Sequence, residues 1–220
     1  MKKVNNMGSD KLNKYLTLSY TKRSGWIKRK LPVSESIFDH MYSCFLIGLV
    51  LLPNESKEYV NYNKNKILNL LLIHDLGEAD IGDIIHGNKN EKDHLQERES
   101  IANFLNGVSF NDDTDYLSLW TTMETNSSSD INCMLVKEID ALQGAYQYFK
   151  FYVEGKVNWN SKQEALKESE DWFKCISNDI IISSIGRSIR DELIINNPLF
   201  KNHSALLDDI FKKLSNQFCI

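Results

Sequence analysis

The sequence predicts an all-α fold, a helical bundle, from three observations. Apolar residues recur at steps of three and four through most of the chain, the period of helices with one buried face. β-Branched runs bounded by tight Asn-Gly turns, the mark of hairpins, are absent. The only prolines are Pro32, Pro53 and Pro198, and neither a Gly/Ser linker nor an internal repeat divides the 220 residues. One domain over residues 1–220 is therefore expected.

The elements follow in chain order. Ser36 with Asp39 forms a capping-box pattern and Pro53 is a stop signal, so a helix is expected from Ser36 to Leu52, with His40 in its first turns. A second helix is expected from about Lys66 to Leu76. Its "ILNLLLI" is apolar on every side, as in the centre of a bundle, and it carries His74 and Asp75 at its C-terminal end. Gly82 and Gly87 make residues 80–92 a loop, after which Asp93 or a neighbour opens "DHLQERESIANFL".

The stretch "DDTDYLSLWTTMET" reads as another helix. "NSSSD" then caps a long one from about Asp130 to Val153, with Ile131, Leu135, Ile139, Leu142 and Tyr146 on one stripe and Asp140 beside it. "SKQEALKESEDWFKCIS" and "HSALLDDIFKKLSNQF" are patterned as amphipathic helices with charged outer faces. Trp172 and Phe173 are expected to cover the core or a dimer partner.

Composition narrows the function classes. With 42% hydrophobic and 25% charged residues the chain is of ordinary globular make-up, and 26 basic against 30 acidic residues argue against a duplex nucleic-acid footprint. Neither a signal-peptide core nor a run of membrane-spanning length is present, so a cytoplasmic protein without a membrane partner is expected. Cys44, Cys133, Cys175 and Cys219 lack C-x-x-C spacing, which supports neither a zinc knuckle nor a disulfide framework.

The chemistry concentrates in "HDLGEADIGD", residues 74–83, where a histidine and four carboxylates follow a segment built to be buried. A buried carboxylate needs a positive partner or a proton, and a bound cation is the economical solution for several at once. His40, His74, Asp75 and Asp140 lie on or at the ends of buried helices. Imidazole and carboxylate together suit a divalent transition metal better than calcium or a thiolate site.

The segments "RSGWIKRKLPVSESIFDHMYSC", "LIHDLGEADIGDI" and "LVKEIDALQGAYQY" resemble the HD-domain phosphohydrolase superfamily, with its H…HD…D ligand pattern, and within it the 5'-deoxynucleotidase branch. The similarity runs from about Lys22 to Gly155, a motif-bearing core of about 22–155. The helices of about 160–220 are placed by patterning alone and complete the bundle or a dimer interface. The resemblance implies an all-α HD-domain bundle with a metal site in its core, hydrolysis of deoxyribonucleoside monophosphates by a metal-activated water, and a homodimer.

The same resemblance implies that His40, His74, Asp75 and Asp140 are the metal ligands, for one divalent ion of Mn, Co, Fe, Ni or Zn in preference to Mg. It makes Glu78 the general acid/base and Asp83 a second catalytic carboxylate. For the phosphate, Arg23 or Arg29 offers the planar fork that lysine lacks, and Trp26 offers a ring for the base or sugar. Some members carry arginine directly before this tryptophan; here Gly25 stands there and Arg23 is three positions before it, an R-x-G-W form.

Lys137 matches the family's K-x-x-D spacing before Asp140 and is a candidate to neutralise the carboxylates or reach the phosphate. His86 and His94 raise the question of a second metal, but the G-Y-P signature of two-metal cyclic-dinucleotide phosphodiesterases is missing. Two rival functions use the same scaffold. A triphosphohydrolase would need more basic residues around the pocket, whereas a non-catalytic nucleotide-binding regulator would have no use for Glu78 and Asp83 beside a complete ligand set.

Overall fold

The computed structural model describes residues 7–29, 31, 35–54, 62–85, 87–108, 110–201 and 203–220. Among them the architecture is all-α, with helices α1 (Met7–Leu16), α2 (Ser24–Lys28), α3 (Ile37–Leu51), α4 (Lys64–Leu71), α5 (Glu78–Ile81), α6 (Glu91–Leu105), α7 (Tyr116–Asn126), α8 (Ile131–Val153), α9 (Lys162–Cys175), α10 (Ser184–Arg190) and α11 (Ala205–Gln217). A π-helical segment, Asp191–Ile195, continues α10. Among the described residues the β pairing consists of one isolated antiparallel bridge between Lys22 and Ser36.

Side-chain caps set most helix starts. Ser36 accepts the Asp39 N–H while the Asp39 carboxylate accepts that of Ser36, completing the expected capping box of α3. Asn90 and Asp93 form a second box, so α6 begins at Glu91, ahead of the expected start. Asn63, Asp115, Asp130, Ser161, Ser183 and Ser204 cap α4, α7, α8, α9, α10 and α11. Each such cap is worth about 1 kcal/mol.

Helix α8 is the axis of the bundle and packs against α3, α4, α7, α9 and α10. The expected stripe is correct at its centre, where Leu135, Ile139 and Leu142 are buried, but Val136, Ala145, Tyr148, Phe149 and Phe151 extend burial around the helix. The C-terminal helices close this core. Leu207, Ile210 and Leu214 of α11 are buried, and Phe211 meets Phe149 and Phe173 at ring distances of 4.9 and 5.2 Å. A group of outward apolar residues lies on α3 and just after α4, where Tyr42, Leu46, Leu49, Val50 and Leu72 are exposed.

The second helix departs from expectation in a way that shapes the site. It stops at Leu71 instead of continuing to Leu76, and residues 72–77 form tight turns with i→i−3 bonds such as Leu76 N–H to Ile73 O, 3.1 Å. The His74 ring donates from Nδ1 to the Leu71 carbonyl at 2.8 Å, occupying the acceptor a continuing helix would offer to Asp75. Trp120 of α7 then donates to the His74 carbonyl at 2.8 Å. Side chains thus take over the backbone bonds of the next turn.

Candidate metal centre

Four elements bring the chemistry together. His40 comes from the first turn of α3, His74 and Asp75 from the turn after α4, Asp140 from the middle of α8, and Arg23 from the residue before α2. His40 Nε2 is 3.3 Å from His74 Nε2, 3.5 Å from Asp75 Oδ2 and 3.0 Å from Asp140 Oδ1. His74 Nε2 is likewise 3.5 Å from Asp75 Oδ2. His40 Nε2 thus lies within 3.5 Å of a nitrogen or oxygen of each of the other three residues expected as ligands.

The surrounding hydrogen bonds fix which ring nitrogens face it. A carbonyl only accepts, so the bond to Leu71 places the proton of His74 on Nδ1 and leaves a lone pair on Nε2. For His40, Nδ1 lies 2.6 Å from Gln143 Oε1, and Gln143 donates its amide to the Glu35 carboxylate at 3.2 Å. The amide oxygen thus faces the ring and Nδ1 carries the proton. Orientation of a metal-ligating histidine through its other nitrogen is the usual arrangement around such centres.

Two imidazole lone pairs 3.3 Å apart, with two carboxylates beside them, form a set of acceptors without enough donors. One divalent cation satisfies that set, so the residues fit the group their chemistry implies. The electrostatics agree. Burial alone would lower the histidines, yet Asp75, Cys44 and Asp140 lift His74 to about 9, and His40 is raised well above its ordinary value. Burial would raise Asp140, but the hydrogen bond and charge of His40, with His74 and Arg23, hold it far below the carboxylate range.

Glu78 is the first residue of α5, buried at 4% exposure, with one carboxylate oxygen lacking a hydrogen-bond partner. Burial, then the charges of Asp75 and Asp83, push it up to about 10, against Lys89 at 3.6 Å and Arg23. Lys89 bonds more closely to buried Glu97 of α6, at 2.8 Å. Gly77 permits this closeness of α5 to α6, because a Cβ there would lie 2.4 Å from Glu97 Cγ and 2.8 Å from its carbonyl oxygen. Gly82, at φ 73°, then reverses the chain toward Asp83.

Asp83 holds the segment that presents Arg23. Its carboxylate accepts the Ser24 N–H, and its carbonyl accepts the Ser24 hydroxyl at 2.6 Å. Arg23 Nη1 reaches Asp75 Oδ2 at 3.2 Å. Arg29 does not join the cluster; it is exposed, with its guanidinium 5.0 Å over the Trp172 ring. Trp26, expected as a surface for a base, is instead a core residue, 3% exposed, stacked on Trp172 at 5.2 Å and edge-on to Phe151. Its place in an apolar wall follows from the aromatic partners supplied by α8 and α9.

Lys137 pairs with Glu124 at 2.6 Å; Glu124 and Asp140 raise its pKa against the effect of burial. His94 lies near Glu97 and Glu124, apart from the main cluster, while His86 falls outside the described residues. Sequence reasoning missed Glu35, Gln143, Cys44, Lys89 and Glu97. Of these, Gln143 and Cys44 had a spacing signal, one turn from Asp140 and His40 respectively.

Comparison with known proteins adds a family to this geometry. Residues 17–173 match the profile described as HD domain. The 5'-deoxynucleotidase HDDC2 of Dictyostelium discoideum is 29% identical over 153 residues, covering 66% of this chain and 80% of that protein. HDDC2 of Danio rerio is 31% identical over 61% of this chain and 64% of its own length. The 5'-deoxynucleotidase YGK1 of Saccharomyces cerevisiae is 26% identical over 70% of this chain and 68% of its length. The chain thus spans most of the first relative and about two thirds of the other two.

Solved structures share the fold. A conserved hypothetical protein from Pyrococcus furiosus superposes with a TM-score of 0.56 at 24% identity, over 82% of this chain and 98% of that one. A predicted metal-dependent phosphohydrolase from Magnetospirillum magnetotacticum gives 0.57 at 18% identity, over 94% and 92%.

Proposed function

This chain belongs to the HD domain family, and we propose that it is a metal-dependent phosphohydrolase that removes the 5'-phosphate from deoxyribonucleoside monophosphates. The observation that carries the reading is the convergence of two imidazole Nε2 lone pairs, 3.3 Å apart, with Asp75 and Asp140. The relatives named as 5'-deoxynucleotidases support the substrate class. The same reading takes the chain as one HD domain, supported by a core cluster running from Tyr15 to Leu214.

His40, His74, Asp75 and Asp140 would hold one divalent ion, with Mn, Co, Fe, Ni and Zn all suited to the donor set. When bound, such an ion supplies Lewis acidity and a water nucleophile near neutral pH. The protein supplies the remainder. Arg23 offers its fork to the phosphate, and the Asp83–Ser24 bonds hold the backbone from which it projects. Glu78, protonated at neutral pH by its burial beside two acids, donates to the departing 5' oxygen. Lys137 adds positive potential one turn before Asp140.

A homodimer and a cytoplasmic location belong to the same proposal. The exposed α3 face of Tyr42, Leu46, Leu49 and Val50 supports the first, since the apolar faces of α9 and α11 are already used in the core. No helix among the described residues is long and apolar enough to cross a membrane.

The test is to strip the protein with a chelator, restore Mn, Co, Ni, Zn or Mg separately, and identify the phosphate species released from deoxyribonucleoside mono- and triphosphates. Metal-dependent orthophosphate from monophosphates, absent in Asp75→Ala, is expected. Tripolyphosphate from triphosphates would replace this reading with the triphosphohydrolase, and nucleotide binding without turnover would replace it with a regulator.

A further inference from the structure

We propose that Cys44 is an additional donor of the same centre, a thiolate that steers it toward thiophilic ions; this rests on the metal-centre reading above. Cys44 stands one turn after His40 on α3 and is fully buried. Its Sγ is 3.7 Å from His40 Nε2, the nitrogen that also faces His74, Asp75 and Asp140, and 3.8 Å from Nδ1. One donor atom from each of His40, Cys44, His74 and Asp140 lies within 4.8 Å of the others.

Bond lengths make this spacing meaningful. Sulfur at about 2.3 Å and nitrogen at about 2.0 Å from a shared ion sit roughly 3–4 Å apart. The four-residue step from His40 to Cys44 is also the one by which a helix presents two ligands on one face. A buried cysteine is often only a small hydrophobe. This one faces ring nitrogens in a cluster short of positive charge, where valine or alanine would fill space without contributing a donor.

On coordination the S–H bond breaks, the proton passes to solvent and the sulfur lone pair goes to the ion, with no change of oxidation state. The consequence is selectivity. A nitrogen and oxygen set accepts several divalent ions, whereas a thiolate favours Co and Zn over Mn and Mg.

The experiment uses the full chain carrying Cys175→Ser and Cys219→Ser, because both of those thiols are exposed. The metal-free protein is titrated with Co(II) and its absorption recorded. A sulfur-to-cobalt charge-transfer band in the near ultraviolet is expected at one equivalent. Cys44→Ser should remove the band and weaken cobalt binding at least about tenfold, with a smaller change for manganese.

Far-UV circular dichroism reports whether Cys44→Ser keeps the fold, and the Co(II) spectrum of the parent decides the matter if it does not. Stoichiometric d–d bands that Asp140→Ala abolishes, without charge transfer, would overturn the role of Cys44 and leave the metal centre standing. Failure to bind cobalt at all would overturn both.

Discussion

Glu138 and Asp140 stand two positions apart on α8, the first buried at 2% exposure and the second half-buried with 30% of its side chain open to solvent, and they meet opposite fates. Glu138 is matched: its Oε1 accepts the Ser183 N–H at 2.8 Å and its Oε2 the Ser183 hydroxyl, which ties α8 to the start of α10. Asp140 faces His40 at 3.0 Å within a group where acceptors outnumber donors. Burial of a carboxylate therefore does not mark a reactive centre. A deficit of donors does, because it leaves a charge that only a cation or borrowed protons can balance.

The largest effect should come from breaking the deficient side. Asp140→Ala should lower metal-dependent phosphate release by more than about 10⁴-fold, beyond what one acid–base group commands, and added metal should no longer raise the melting temperature. Next, Glu78→Gln should cost about 10²–10⁴-fold in kcat while equilibrium dialysis finds unchanged metal content. Lost metal in that variant would place Glu78 among the ligands instead.

On the matched side, Glu138→Ala should destabilise the fold by about 1–3 kcal/mol, the penalty for leaving buried partners unsatisfied, with kcat per folded molecule unchanged. Parallel loss of stability and kcat would erase the distinction between the two carboxylates.

The smallest effect is one of pH. In metal-free protein, His74 is raised from 6.5 to about 9, so its stabilisation is full below pH 6.5 and is lost as pH rises through 9. Glu78, raised from 4.5 to about 10, adds a loss of the same sign over that range. The melting temperature should fall as pH rises from 6.5 to 9 and should flatten when metal holds the histidines neutral. Thermal melts across that window in Glu138→Ala should keep the slope; in Asp140→Ala the slope should shrink.

Much of this was legible in the sequence because the signals were local. Ser36 and Asp39 announce α3 through side chains three residues apart, and Asp130 does so for α8. The end of α4 was illegible for the converse reason. Leu72 and Ile73 continue an apolar run, no glycine intervenes before Gly77, and the turn is stabilised by Trp120, 46 positions from His74. Trp26 misled similarly: a tryptophan in a basic run looks like a ligand platform until Trp172 supplies a core partner. Gln143 orients His40 from 103 positions away, a relation no periodicity encodes.

That distance also bears on the order of events as the chain folds. The four candidate ligands lie at positions 40, 74, 75 and 140, and the bond that orients the first of them closes one of the widest loops in the molecule. Such contacts are entropically costly to close and no local fragment can assemble the centre alone. An ion that meets its full donor set only in the finished structure stabilises the native state without stabilising the transition state. It acts as a latch, slowing escape from the fold while leaving the speed of reaching it largely unchanged.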